Sequence, residues 1–276
     1  MNLKAEILRS NPGAGQAAVF YLGQETILIK VSGKYIVFDP YLTDYVDRNF
    51  SNDVVTWKRN YPAPIAPEEL DFIDYVFCSH AHGDHTDPET LSAIAKVSPK
   101  AKFIGGAPVC KAYAEMCNLS AERIIAVRAD EKKELCNGIT VTPIPAAHEE
   151  LHPDGNGSYE ELGFIVEAGG MRFCHAGDCC LYDGLIERLK NIDMAFLPIN
   201  GRDYFRLSKD IIGNFDSVEA VNLAAAAGIS VLVPLHFDLY DVNCVNPAYF
   251  VDCIGKIAPG QKYHIFMPGE KYLFEK

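Results

Sequence analysis

No run of about 18 apolar residues occurs in the 276-residue chain, so nothing in it reads as a membrane-spanning helix. Positive charge is in short supply: 25 lysines and arginines stand against 37 aspartates and glutamates, a formal net charge of −12. That balance argues against a general nucleic-acid binder, while leaving room for a local basic pocket. The opening residues, MNLKAEILRSNPGAGQAAVF, lack the uninterrupted apolar core of a secretory signal. No low-complexity tract, repeat of fixed period or linker-like break in composition interrupts the sequence. Cysteine is present, but its nine copies are odd in number, scattered and mostly set in apolar segments, as reduced thiols rather than a disulfide framework. The expectation is a cytoplasmic protein with a single domain over residues 1–276. With 49% hydrophobic residues it is long enough to bury a substantial core.

Histidine is scarce too, eight in all, yet three of them crowd with an aspartate into FCSHAHGDHTD, between His80 and His85. The surrounding pattern is mixed. Strands are expected over Val19–Leu22, Thr26–Val31 and Tyr35–Asp39, followed by an irregular Pro-rich stretch, NYPAPIAPEELDF. DYVFCSH then reads as a short apolar strand that delivers the histidine cluster at its C-terminal end. In DPETLSAIAKV, Asp87 is the expected N-cap and Pro88 the first helical residue. Strand and helix signals alternate through KFIGG, APVCKAYAEMC and RIIAV, and a β-rich middle follows. Alternation returns in the last third, with DMAFLPIN, SVEAVNLAAAAG and SVLVPLHFD. A domain of two sheets with helices packed outside fits this order.

The cluster has the form H-x-H-x-D-H. In an extended segment the i, i+2 spacing puts His80 and His82 on one side, able to grip one ion. Asp84 and His85 follow the turn at Gly83 and can face a second. His148 in PIPAAHE, Asp178 in FCHAGD and His236 in VLVPLHFD each end a hydrophobic run and open a loop, where α/β proteins tend to place their chemistry. His152 and His264 read as surface or packing residues, and His175 as either a neighbour of the site or a buried strand residue. Cys179 and Cys180, directly after Asp178, read as small buried thiols rather than ligands.

With these motifs in hand, the sequence resembles the metallo-β-lactamase superfamily, and the resemblance runs over nearly the whole chain. YLGQETILIKVSGKYIVFDPYL is similar to the N-terminal strands of that family, ending in an aspartate, here Asp39, that supports the metal loop. HAGD, LPINGRD, VPLHFD and the segment around the cluster are similar to the branch that includes L-ascorbate-6-phosphate lactonase. The resemblance implies an α/β fold, a four-layer αββα sandwich, and two divalent metal ions. His80, His82 and His148 would hold one ion, Asp84, His85 and His236 the other, and Asp178 would bridge them. Nitrogen and carboxylate donors suit Zn²⁺, Mn²⁺ or Fe²⁺, and the lactonase resemblance favours Mn²⁺.

Two cations make a hydroxide available near neutral pH and stabilise a developing oxyanion, so hydrolysis is the expected reaction. Asp84 is the expected catalytic residue, orienting the nucleophile or taking up its proton. NGRDYFRLSKDIIGNFD carries Arg202, Arg206 and Lys209 in an otherwise acidic chain, and arginine suits bidentate phosphate binding. Asn200, Arg202, Tyr204, Arg206 and Asn214 are therefore expected to contact a small anionic substrate such as a phosphorylated sugar-acid lactone. The competing account pairs these charges with Asp203 and Asp210. A phosphodiesterase and a metal-bound sensor or scaffold without turnover are the alternatives. No nucleic-acid or membrane partner is expected, and a homo-oligomer is left open.

Overall fold

A computed structural model describes residues 2–276. Its strands are, in chain order, β1 (Gln16–Gly23), β2 (Thr26–Val31), β3 (Lys34–Phe38), β4 (Tyr75–Phe77), β5 (Lys102–Gly105), β6 (Ile124–Ala126) and β7 (Lys133–Cys136). They continue as β8 (Ile139–Pro145), β9 (Leu162–Ala168), β10 (Met171–His175), β11 (Met194–Pro198), β12 (Val231–Leu235), β13 (Lys262–Tyr263) and β14 (Lys271–Glu275). Two seven-stranded sheets result, in the orders β14-β1-β2-β3-β4-β5-β6 and β13-β12-β11-β10-β9-β8-β7. Each sheet has the same construction. One half is antiparallel (β14 to β3, and β7 to β10) and the other parallel (β3 to β6, and β10 to β13).

The inner faces of the sheets meet in one apolar core. Tyr21, Ile29, Phe38 and Phe77 from the first interleave with Val141, Phe164, Phe173 and Phe196 from the second. Both faces of the central strands are covered, which is why β2, β4, β11 and β12 are buried at every position rather than alternating. Helices Pro88–Val97 and Ala107–Met116 pack outside the first sheet through Leu91, Ile94, Val109 and Tyr113. Helices Ser217–Ala227 and Pro247–Ile257 cover the second through Val221, Ala224, Phe250 and Ile254. This is the four-layer αββα sandwich of the metallo-β-lactamase fold.

Local signals explain most boundaries. Asp87 accepts from the Glu89 amide and Pro88 opens the helix, as expected. Asp216 and Glu219 form a reciprocal capping box, and Gly228 closes that helix at φ 70°. Strand ends differ from expectation: β1 runs over Gln16–Gly23 rather than Val19–Leu22, and β3 stops at Phe38 because Asp39 turns to φ 41°. The segment after Cys180 forms one helical turn, Leu185–Arg188. Helix Tyr45–Phe50, which forms part of a cavity wall described below, carried no strong sequence signal.

Candidate metal centre

Six loops converge at one end of the two sheets. From the first sheet come the β1–β2 turn with Gln24, the end of β3 with Asp39, and the loop after β4 with His80 to His85. From the second come His148 after β8, Asp178 after β10 and His236 after β12. The β4 loop is wound tightly: the His85 and Thr86 amides both donate to the His82 carbonyl, and the Thr86 hydroxyl donates to the His80 carbonyl at 2.6 Å. Asp178 is reached through Gly177 at φ 61°, where a Cβ would lie 2.5 Å from the Ser79 Cβ. Only glycine lets the two loops approach this closely. His236, at φ 57°, is also held in the left-handed region, which a non-glycine residue keeps only when its surroundings enforce it.

The seven residues expected as ligands are brought together in two adjoining groups. In the first, His82 Nδ1 lies 3.0 Å from His80 Nε2 and 3.3 Å from His148 Nε2, and His148 Nε2 lies 3.5 Å from Asp178 Oδ2. In the second, Asp84 Oδ2 is 3.6 Å from both His85 Nε2 and His236 Nε2, and each of those nitrogens is 3.5 Å from Asp178 Oδ1. Donors placed tetrahedrally about 2.1 Å from one ion stand roughly 3.4 Å apart, which is the spacing seen within each group. Asp178 faces the first group with one oxygen and the second with the other. His85 Nε2 and Asp178 Oδ1 are buried and have no hydrogen-bond partner, a costly arrangement unless a cation completes it. The donor set fits divalent metal.

Charge distribution agrees. Burial raises Asp178 and Asp84, but the surrounding imidazoles outweigh it and hold both carboxyls well below their usual range. Burial lowers His80, His82 and His148, the last to about 4, so these rings are neutral and ready to donate lone pairs. For His85 and His236, burial is outweighed by the carboxylates, Asp178 foremost, and both are raised. A cation bound among them would take over the compensation that those protons provide.

Behind the ligands stands a buried polar layer. Asp39 Oδ1 accepts from the Ser79 amide at 2.7 Å, and Oδ2 meets the Ser79 hydroxyl at 2.6 Å and His85 Nδ1 at 2.7 Å. It thereby fixes the His85 tautomer with Nε2 toward the centre, the supporting role the resemblance assigned to Asp39. His175 stacks on Phe38 and reaches the Glu25 carbonyl through Nε2 at 2.8 Å, a structural strand residue next to the site. Gln24 was missed by sequence reasoning. Buried at φ 58°, its Nε2 donates to Asp84 Oδ2 at 2.9 Å and lies 3.1 Å from His236 Nε2. The available signal was a Gln-Glu pair, both buried, set inside an apolar hairpin.

Cys179 and Cys180 belong to neither group. Both are buried, with thiols raised mainly by burial and directed at backbone carbonyls. His152 and His264 pair with Glu161 and Glu270 and belong to neither ligand group.

A cavity of about 560 Å³ opens onto His82, Asp84, His148, Asp178 and His236. None of the five residues expected to contact substrate lines it. Arg202 grips Glu219 with both terminal nitrogens at 2.7 and 2.6 Å, and Arg206 is held by Asp203 at 2.7 Å and the Cys244 carbonyl at 3.0 Å. Asn214 donates to Asn200 and Asn200 to Asn243, a buried amide chain that reaches the cavity only through Asn243. Tyr204 is 87% exposed and points to solvent. Arg202, Arg206, Asn200 and Asn214 thus have protein partners, and Arg202 lines a neighbouring cavity that shares His148 and Ile212 with the first.

Comparison with known proteins agrees with this geometry. A family model described as a beta-lactamase superfamily domain matches residues 34–237. A UPF0173 metal-dependent hydrolase of Aeropyrum pernix is 25% identical, the match covering 94% of this chain and 98% of the relative. Its counterpart in Carboxydothermus hydrogenoformans is 28% identical over 91% and 97% of the two chains. Among solved structures, the metallo hydrolase Igni18 of Ignicoccus hospitalis superposes with a TM-score of 0.71 at 21% identity, covering 95% of this chain and 99% of that one. An isothiocyanate hydrolase from Delia radicum gut bacteria gives 0.72 at 14% identity, covering 94% and 100%. At such identities the structural matches speak for the fold.

Proposed function

The chain belongs to the beta-lactamase superfamily, and from that premise we propose a metal-dependent hydrolase that opens a carboxylic ester or lactone with two divalent ions. The observation that carries the reading is the position of Asp178, whose two oxygens face the two ligand groups at 3.5 Å each. Bound ions supply Lewis acidity toward water and toward a carbonyl oxygen. His80, His82 and His148 would hold one, Asp84, His85 and His236 the other, with Asp178 available to both. Asp84, ionised and part of the cavity wall, orients the attacking water and receives its proton. Gln24 fixes that carboxylate by donating to one of its oxygens. Donors of nitrogen and oxygen without thiolate suit Mn²⁺, Zn²⁺ or Fe²⁺, with Mn²⁺ favoured by the lactonase resemblance.

The resemblance also favours a lactone. The arginines that a sugar phosphate would need are committed to internal pairs, so the reading retains the ester or lactone without the phosphate. Metal analysis of protein purified without chelator, with a panel of lactones, esters and phosphodiesters, tests it. Hydrolysis of lactones or esters is expected, and His82→Ala and Asp178→Ala should each abolish it and lower metal content while the fold persists. Turnover confined to phosphodiesters would replace this reading with the phosphodiesterase. A metal-loaded protein inert to the whole panel, or undiminished turnover in either variant, would overturn it.

A further inference from the structure

We propose that the substrate of this cavity carries an apolar acyl or aryl group, which lies between two lips formed by residues 46–57 and 205–212. The inference rests on the hydrolase reading and specifies its substrate class. Val46, Phe50, Val55 and Trp57 from the first segment and Ile211 and Ile212 from the second line the cavity together with the metal-ligand residues His82, Asp84, His148, Asp178 and His236. Among the described residues lining it, Lys209 is the one lysine or arginine. Its ammonium approaches the Val54 carbonyl at 3.4 Å and the Phe205 ring at 4.8 Å, so it ties one lip to the other.

The apolar surface continues outward. Phe50 is 53% exposed, Val54 68%, Phe205 58%, Leu207 53% and Ile212 39%, all on these two segments. Phe50 and Ile212 line the opening itself, Leu207 lines a neighbouring cavity that shares Ile212, and exposed apolar residues that adjoin a cavity mark a binding surface where single ones do not. The second lip is pinned rather than loose. Asp203 caps the turn Tyr204–Leu207, Arg206 anchors it to Asp203 and to the Cys244 carbonyl, and the Gly213 amide donates to Glu149 at 3.0 Å. These bonds hold the apolar side chains outward at a fixed place, which lowers the ordering cost of binding a greasy group. The cavity volume of about 560 Å³ is typical of a small-molecule site. Because the apolar lips lead directly to the ligand cluster, the occupant is the substrate's own acyl group.

Trp57 is the single tryptophan of the chain and lines the cavity, so its emission reports this place alone. Acetate, butanoate and octanoate are titrated into chelator-treated protein, and acetyl, butanoyl and octanoyl esters of one alcohol are compared with the metal-loaded enzyme. Trp57 emission should change saturably with octanoate and not with acetate. Affinity and kcat/KM should rise about fourfold per methylene while the chain stays within the cavity. Phe50→Asp and Ile212→Asp, at exposed positions, should flatten both series with metal content unchanged. Equal handling of acetyl and octanoyl esters, with no Trp57 response, would overturn this inference and leave the hydrolase standing. Octanoate binding without hydrolysis of any ester or lactone would remove the hydrolase reading instead. Self-association that shields Trp57 and is abolished by Phe50→Asp would show that the lips serve a second copy of the chain and overturn the proposal.

Discussion

Replacing Asp39 by asparagine tests the centre without touching a ligand. The wild-type carboxylate is fully buried and takes part in three contacts of 2.6–2.7 Å, two to Ser79 and one to His85 Nδ1. In Asp39→Asn the amide oxygen can still serve the Ser79 amide, and the serine hydroxyl can rotate to accept from the new NH₂. His85 cannot adapt as cheaply, because its Nδ1–H would confront another N–H. The ring must lose that bond or move its proton to Nε2, the atom aimed at the ligand centre. One hydrogen bond to a charged group is worth about 1.5–3 kcal/mol. That equals roughly 10–100-fold in affinity, the range found for groups that support metal-binding histidines. Metal affinity measured by competition with a chelator should fall by that factor, with a comparable loss of stability in urea. Wild-type affinity in Asp39→Asn would refute the claim that Asp39 sets the His85 tautomer.

Gln24→Leu should lower kcat about tenfold while metal content stays near wild type, since a single hydrogen bond to the Asp84 carboxylate is lost; steady-state kinetics with metal analysis decides it. His148 is held at about 4 by burial, below its ordinary 6.5. The unfolded chain therefore binds its proton first, and the stability tied to neutral His148 is complete above about pH 6.5 and lost as pH falls through about 4. Between pH 7.5 and 4.5, the urea-measured gap between chelated wild type and His148→Gln should move on the order of 2 kcal/mol in the variant's favour.

Much of the centre was legible because its residues announce themselves locally. His80, His82, Asp84 and His85 are neighbours in sequence, and His148, Asp178 and His236 each follow an apolar run, so the pattern survives without knowledge of which strands pair. The two-sheet architecture, though not the strand order within each sheet, could be anticipated from the alternation of strand and helix signals. What was not legible depends on partners far away in the chain. Arg202 reads as a free cation until Glu219 folds against it, whereas the Arg206–Asp203 pair lies within the segment and was already open to the competing account. Gln24 is unremarkable in YLGQETI and acquires its role only where the β1–β2 turn meets Asp84, sixty positions on. The apolar lips were hidden as well, since Phe50 and Ile212 come together only as the lining of one cavity.

The origin of the ligands has a consequence for the protein as a whole. Four come from the first sheet and three from the second, with Asp178 of the second facing His85 of the first. An ion among them is thus a non-covalent cross-link between the halves of the sandwich. The ion in the second group would close a loop in the chain from Asp84 to His236, much as a disulfide would. Thermodynamic linkage then makes the melting temperature a metal titration curve, with about 4 kcal/mol gained at a thousandfold excess over Kd. Chelation should loosen first the contacts where the two sheets face each other, so amide exchange on β4 and β12 would serve as a gauge of metal occupancy.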